Sequence, residues 1–182
     1  MTESAGAPRS AVLGLGNVLM GDDALGPWVV QWLLARWEFP PAVRVQDLGT
    51  PGLDLHPYLV ECDHLVLVDV VKSEGAPGEL RLYDRDQILA HPPDLRTSPH
   101  DPGVKEALLA LEFADDGPRE VLLVGVIPDR VSSAVGLSPA VRDAVGSVET
   151  AVLAELARMG HAVVRRDPPA EPDVWWEAAA DA

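Results

Sequence analysis

Apolar residues in this chain fall into short, nearly continuous blocks separated by longer amphipathic ones. Residues 11–15 are almost wholly apolar and run into Gly16 and Asn17, which predicts a strand buried on both faces and ending in a turn. Residues 22–37 carry Leu25, Val29, Trp32 and Leu33, with Val30, Leu34 and Trp37 beside them, at helical spacing. Asp22 or Asp23 is the expected cap of that helix, Pro27 fits its first turns, and Pro40 with Pro41 ends it. Residues 43–47 alternate as a second strand, 48–52 form a loop, and 53–61 hold a short helix. Residues 64–71 are apolar enough for a central strand, broken near the end by Asp69. A turn at 73–78 leads to an alternating edge strand at 79–83, and a proline-flanked loop at 97–103 precedes a helix at 104–111. Residues 120–127 form another buried strand, and 138–159 a long closing helix with Ser138 as cap and Pro139 in first position.

Strands alternating with helices predict one α/β domain, a three-layer sandwich whose mostly parallel, twisted sheet is flanked by helices on both sides. Residues 1–10 are read as a flexible N-terminus and 11–166 as the folded domain. Residues 167–182 are expected to be a disordered acidic tail. They hold Asp167, Glu171, Asp173, Glu177 and Asp181 with Pro168, Pro169 and Pro172 and no Lys or Arg, and the pair Trp175 and Trp176 is the only sticky feature.

The length of 182 residues suits one domain. Although 47% of residues are hydrophobic, no run approaches the roughly 20 apolar residues of a membrane-spanning helix. The start is small and polar, without a basic and then apolar leader, so a cytoplasmic protein is expected. A net charge of −15 argues against nucleic acid or an anionic membrane as partner, because both select basic patches. One cysteine, Cys62, builds neither an internal disulfide nor a thiolate-rich zinc site, and is read as a packing residue.

Three chemistries compete for the remaining polar residues. Gly14 and Gly16 after the first strand suggest dinucleotide binding, with Asp47 as the acid ending the second strand. The sixth fingerprint position is Leu19, however, and Asp22 with Asp23 would meet a pyrophosphate with like charge. A second reading starts from the carboxylates. Asp22 and Asp23 follow the first strand, Asp47 ends the second, Asp69 lies near the end of the third, and His100 sits in a later loop. The carboxyl ends of parallel strands share one edge, so these groups converge there as oxygen and nitrogen ligands for a borderline divalent ion such as nickel or zinc. Each has a structural alternative: a helix cap for Asp22 or Asp23, a turn former for Asp47, a surface loop residue for His100. Asp69 is the exception, because a carboxylate after four apolar strand residues is costly without a partner or a wet edge. His56, His64, His91 and His161 are read as structural. There is no His-Glu-x-x-His pair, so this is no zincin-type protease, and serine and cysteine nucleophile schemes lack their signatures, since there is no Gly-x-Ser-x-Gly and no evident histidine partner for Cys62.

The segment running from Gly14 through Asn17, Gly21, Asp22 and Asp23 to Gly26 closely resembles the opening motif of the hydrogenase maturation proteases. Agreement continues in order through residues 47–50 with Gly52, 64–69, Ser98-Pro99-His100, 124–128 and 136–139, so the likeness spans about residues 11–166. The resemblance implies a phosphorylase/hydrolase-like or flavodoxin-like sandwich. It also implies an endopeptidase that removes the C-terminal extension of a nickel-iron hydrogenase large-subunit precursor once nickel is inserted. The family's three metal-binding positions match Asp23, Asp69 and His100, where the first is often Glu. Asp47 matches a position tied to substrate recognition or cleavage, with Leu48 replacing a glycine. The nickel arrives with the substrate, and a site of this kind also suits zinc. The expected partner is the precursor large subunit, and the expected oligomeric state is monomeric. Two other classes use the same residues: a non-catalytic nickel-sensing assembly module, and a nucleotide-binding oxidoreductase.

Overall fold

The computed structural model describes residues 9–51, 55–60, 62–90, 104–114 and 117–180. Strand β1 (Ser10–Leu15) is buried along its whole length. A single 3-10 turn (Asp22–Ala24) leads into α1 (Leu25–Arg36), which β2 (Trp37–Glu38) follows. Next come β3 (Val43–Gly49), the short α2 (His56–Val60) and β4 (His64–Val70). Strand β5 (Leu80–Asp84) passes directly into α3 (Arg85–Ala90), and α4 (Val104–Ala114) precedes β6 (Glu120–Val126). The chain closes with α5 (Pro139–Arg158), β7 (Val164–Arg165) and α6 (Trp175–Ala180).

The main sheet has the order β3-β1-β4-β6-β5. All neighbours are parallel except the edge strand β5, which runs antiparallel to β6. This is the three-layer α/β sandwich that the alternating blocks predict. From β1 the chain steps outward to β3, then crosses back to β4 on the other side of β1. The carboxyl ends of β1 and β4 therefore flank the point where strand order reverses, where open α/β sheets place their ligands.

Period-two alternation divides the core between the two faces. Val12, Val66, Val68, Val124 and Val126 pack with Val29 and Leu33 of α1, with Val145, Val148 and Val152 of α5, and with Trp176. Leu13, Leu65, Leu67 and Leu123 pack with Leu59, Ile88, Leu108 and Leu111 of α2, α3 and α4. Cys62 is buried in this second cluster, as its packing role requires. Among the described residues, no helix is long and apolar enough to cross a membrane.

Helix α1 lies against β1 at backbone contact distance. A Cβ on Gly26 would sit 2.2 Å from the Leu15 carbonyl oxygen and 2.7 Å from that of Val68, and one on Gly14 would sit 2.4 Å from the Gly26 carbonyl oxygen. No flexible side chain is available to give way. Gly26→Ala is therefore expected to cost about 2–3 kcal/mol, read as a lower denaturant midpoint with an unchanged slope.

Two local expectations are corrected. Helix α3 was legible but not expected: Asp84 Oδ1 accepts from the Gln87 N–H (2.8 Å) while Gln87 Oε1 accepts from the Asp84 N–H (2.9 Å), a reciprocal capping box written as Asp-x-x-Gln. The acidic tail, expected to be disordered, is largely exposed through residues 167–173 but ends in α6, which docks on the domain. Trp176 is 3% exposed, and Glu177 Oε1 accepts from Trp28 Nε1 (3.2 Å) and Arg142 Nη2 (2.8 Å). Low apolar content and proline suggested a solvated segment, but one large aromatic ring and one ion pair supply the contacts that composition averages away. The short pairing of β2 with β7 brings the chain back alongside α1 before this docking.

Candidate active site

The turn after β1 carries the first candidate. Gly16, at φ 132, lies so near the 3-10 turn that a Cβ there would fall 1.8 Å from the Asp23 carbonyl oxygen. The backbone thus folds back on itself, and Asp23 Oδ2 accepts from the Asn17 N–H at 2.8 Å. Asp23 is 2% exposed. Neither Asp22 nor Asp23 caps α1 through its side chain, contrary to the local expectation, because the 3-10 turn intervenes.

Asp69 is the penultimate residue of β4, facing Gly125 on β6, and is 6% exposed. Its Oδ1 accepts from the Val70 N–H at 2.7 Å. Burial pushes its carboxyl well above the usual carboxylate range, the negative charge of Asp23 pushes it further, and the Val70 N–H only partly offsets both. The structure therefore brings Asp23 and Asp69 together as interacting like charges across the β1/β4 switch point.

Asp47 stands two strands away from Asp69. It lies on β3, whose register places Asp47 opposite Gly14, while Val68 of β4 faces Gly14 from the other side. Two interstrand spacings, about 10 Å, separate β3 from β4. Asp47 is half-buried, and its Oδ1 accepts from the Gly49 N–H at 2.8 Å. Burial raises its carboxyl above the ordinary value, and that N–H holds it partly down. His100 lies outside the described residues.

Asp22 has a role that local sequence does not reveal. It is fully buried, and its carboxylate accepts from the N–H groups of Asp129 (2.8 Å), Arg130 (2.9 Å) and Ser138 (2.6 Å) and from the Ser138 hydroxyl (2.9 Å). Ser138 holds the N-cap position of α5 but does not cap it, because its hydroxyl is given to Asp22 instead. One carboxylate thus ties the turn bearing Asp23 to the loop after β6 and to the start of α5. Those partners are 107–116 positions away in the chain, so only the fold makes this visible.

The other described histidines keep structural roles. His161 Nε2 lies 2.7 Å from the Ser10 hydroxyl and His64 Nε2 lies 3.6 Å from Glu120, at the amino end of β1, β4 and β6. His56 is exposed on α2, and His91 falls outside the described residues.

Chemically, two carboxylates buried in one field repel each other. A divalent cation meeting both would relieve the repulsion and the burial cost together, and carboxylate oxygens with one imidazole suit nickel or zinc. Among the described residues, no group of three or more His, Cys, Asp or Glu is placed to hold a metal.

A family model described as hydrogenase maturation protease matches residues 27–155, more than half of the chain. The hydrogenase 2 maturation protease of Escherichia coli (strain K12) is 34% identical over 163 residues, which cover 87% of this chain and 97% of that protein. The hydrogenase expression/formation protein HoxM of Azotobacter vinelandii is 34% identical over 166 residues, covering 91% of this chain and 80% of its own. Among solved structures, the hydrogenase maturating endopeptidase HybD from E. coli superposes with a TM-score of 0.80 at 34% identity, over 88% of this chain and 99% of that one. A [NiFe] hydrogenase maturation protease HycI from Thermococcus kodakarensis KOD1, at 21% identity and a TM-score of 0.66 over 84% of this chain and 95% of its own, shares the fold.

Proposed function

From the premise that this chain belongs to the hydrogenase maturation protease family and is a hydrogenase maturation endopeptidase, we propose that it removes the C-terminal extension of a nickel-iron hydrogenase large-subunit precursor after nickel insertion, reading the substrate's nickel as the signal to cut. The observation that carries this is the pair Asp23 and Asp69, two buried like charges at the strand-order reversal of the sheet. Two carboxylates buried within each other's field are poor for stability and good for receiving a cation.

In this reading Asp23, Asp69 and His100 offer two carboxylates and an imidazole to the nickel already held by the substrate. Docking the metal fixes the adjacent peptide and converts its hydrolysis into a positioned reaction. Asp47 lies about two strands away from Asp69. It takes the proton of the attacking water, whose oxygen bonds to the scissile carbonyl carbon, and returns that proton to the departing amine as the C–N bond breaks. The raised carboxyl of Asp47 brings its basicity closer to this task. Monomeric action in the cytoplasm belongs to the same proposal, and the single buried thiol of Cys62 requires no oxidising compartment.

The test is intact mass spectrometry of nickel-loaded and nickel-free precursor after incubation with the protein. Loss of a defined C-terminal peptide only from the loaded sample is the expected result. An unchanged mass in both samples, with a precursor competent for processing, would replace this reading by that of a nickel-sensing module that binds without cutting.

A further inference from the structure

We propose that the bulge at the end of β3 is the device that brings Asp47 to the reacting bond, with Gly49 as its positioning residue. This rests on the reading of Asp47 as the base of the endopeptidase reaction, and it says what makes that role possible.

A regular strand would aim Asp47 away from the other acids. Val43 lies in the cluster under α1 and α5, Val45 packs on it, and Val66, Val68 and Val70 of β4 belong to the same cluster. Asp47 continues the series of Val43 and Val45 at period two. Leu65, Leu67 and Val71 of the neighbouring chain segment belong to the opposite cluster, and Asp69 continues their series. Unbroken alternation would thus send Asp47 to one face of the sheet and Asp69 to the other.

The register of β3 departs from that alternation at this point. Gly14 of β1 faces Asp47, but the next residue, Leu15, faces Gly49, so Leu48 is an extra residue on β3. Such bulges bend a strand and redirect its side chains. Here the bulge presents the Gly49 N–H to the Asp47 side chain, whose Oδ1 accepts from it at 2.8 Å. A carboxyl bonded to the second residue beyond its own leans forward along the strand, toward the carboxyl edge where the two faces meet. One oxygen is committed to that hold, and Oδ2 is left to take the proton of the attacking water. Gly49 is anchored in turn, because its carbonyl accepts from the Gly16 N–H at 2.9 Å. The following N–H, that of Asn17, is the one held by Asp23 Oδ2. The turn after β1 therefore fixes Asp23 directly and Asp47 through the bulge.

Gly49 is required for its conformation rather than its size. Its φ is 58, in the left-handed region that β-branched residues resist and asparagine tolerates. A Cβ there would find the Gly16 carbonyl oxygen as its nearest neighbour, at 4.0 Å, so a side chain has room.

Gly49→Val, Gly49→Ala and Gly49→Asn test this, each alone and combined with Asp47→Asn. Processing of nickel-loaded precursor is followed by intact mass over a range of precursor concentrations. Gly49→Val is expected to lower kcat roughly 30-fold, with KM within about twofold of wild type because metal docking is untouched. Gly49→Ala should fall in the same direction by less, and Gly49→Asn should stay near the wild-type rate. In the Asp47→Asn background, itself slowed about 10²-fold or more, the Gly49 substitutions should have no further effect, since nothing is left for the bulge to position. A wild-type kcat in Gly49→Val, or an equal loss in Gly49→Asn, overturns the proposal. So does a loss that multiplies with that of Asp47→Asn, which would make Gly49 a structural residue. Should the valine variant not fold, the alanine variant is held to the same outcomes. Processing by Asp47→Asn at the wild-type rate brings down the reading of Asp47 as base, and a wild-type protein that cleaves no competent precursor brings down the endopeptidase reading, in either case with this proposal.

Discussion

Replacing Asp69 by Asn is expected to lower processing of nickel-loaded precursor by about 10²-fold or more in kcat/KM, and at the same time to raise the thermal midpoint of the enzyme by several degrees. Both halves come from one observation, a buried carboxylate whose proton affinity is raised by burial and by Asp23. A group with a raised folded-state pKa binds its proton more tightly in the native protein than in the unfolded chain. Its stabilising contribution is complete below the unfolded value of about 3.8 and is lost as pH rises through the higher folded value. Above that folded value the ionised Asp69 works against folding. Asparagine keeps an oxygen for the Val70 N–H and removes the charge. Denaturant titrations across pH should show wild-type stability falling over that window and the variant's curve flatter there. A variant that cleaves at the wild-type rate would remove Asp69 from the site, and one that melts earlier would make it a structural residue.

Its neighbour in function behaves oppositely to its neighbour in sequence. Asp22→Ala is expected to cost about 3–5 kcal/mol, because it strands the N–H groups of Asp129, Arg130 and Ser138 and the Ser138 hydroxyl in the interior. That is a large share of the roughly 5–15 kcal/mol that hold a typical domain together. Asp22→Asn keeps one acceptor oxygen but points an amide at groups that are themselves donors, so it should fall between. Asp23→Ala should leave the denaturant midpoint close to wild type while processing is lost. Equal midpoints for the alanine variants at 22 and 23 would overturn this division between a carboxylate that holds two loops and one that faces the substrate.

Much of the frame was legible locally. The blocks at residues 11–15, 64–71 and 120–127 are apolar enough to demand burial on both faces, and the sheet places them as β1, β4 and β6 at its centre. Asp69 was conspicuous because it interrupts such a block. Helix α3 was equally legible through its capping box, but its first turn follows β5 without the loop that normally announces a helix. The C-terminal segment was not, because its docking depends on a single ring, Trp176, finding a place against residues more than a hundred positions earlier.

By itself the sequence determined the class of fold, the order of its elements, the edge of the sheet to which the acids belong and, through a run of motifs, the family. Those properties are local, since period, capping chemistry and spacing are written over a few residues at a time. The tertiary structure decided which acids feel each other's charge. The return from β3 across β1 to β4 sets Asp23 against Asp69, leaves Asp47 two strands from β4, and spends Asp22 on a loop 107–116 residues away. Charges interact through distance in space and burial, and neither is defined until the sheet has assembled.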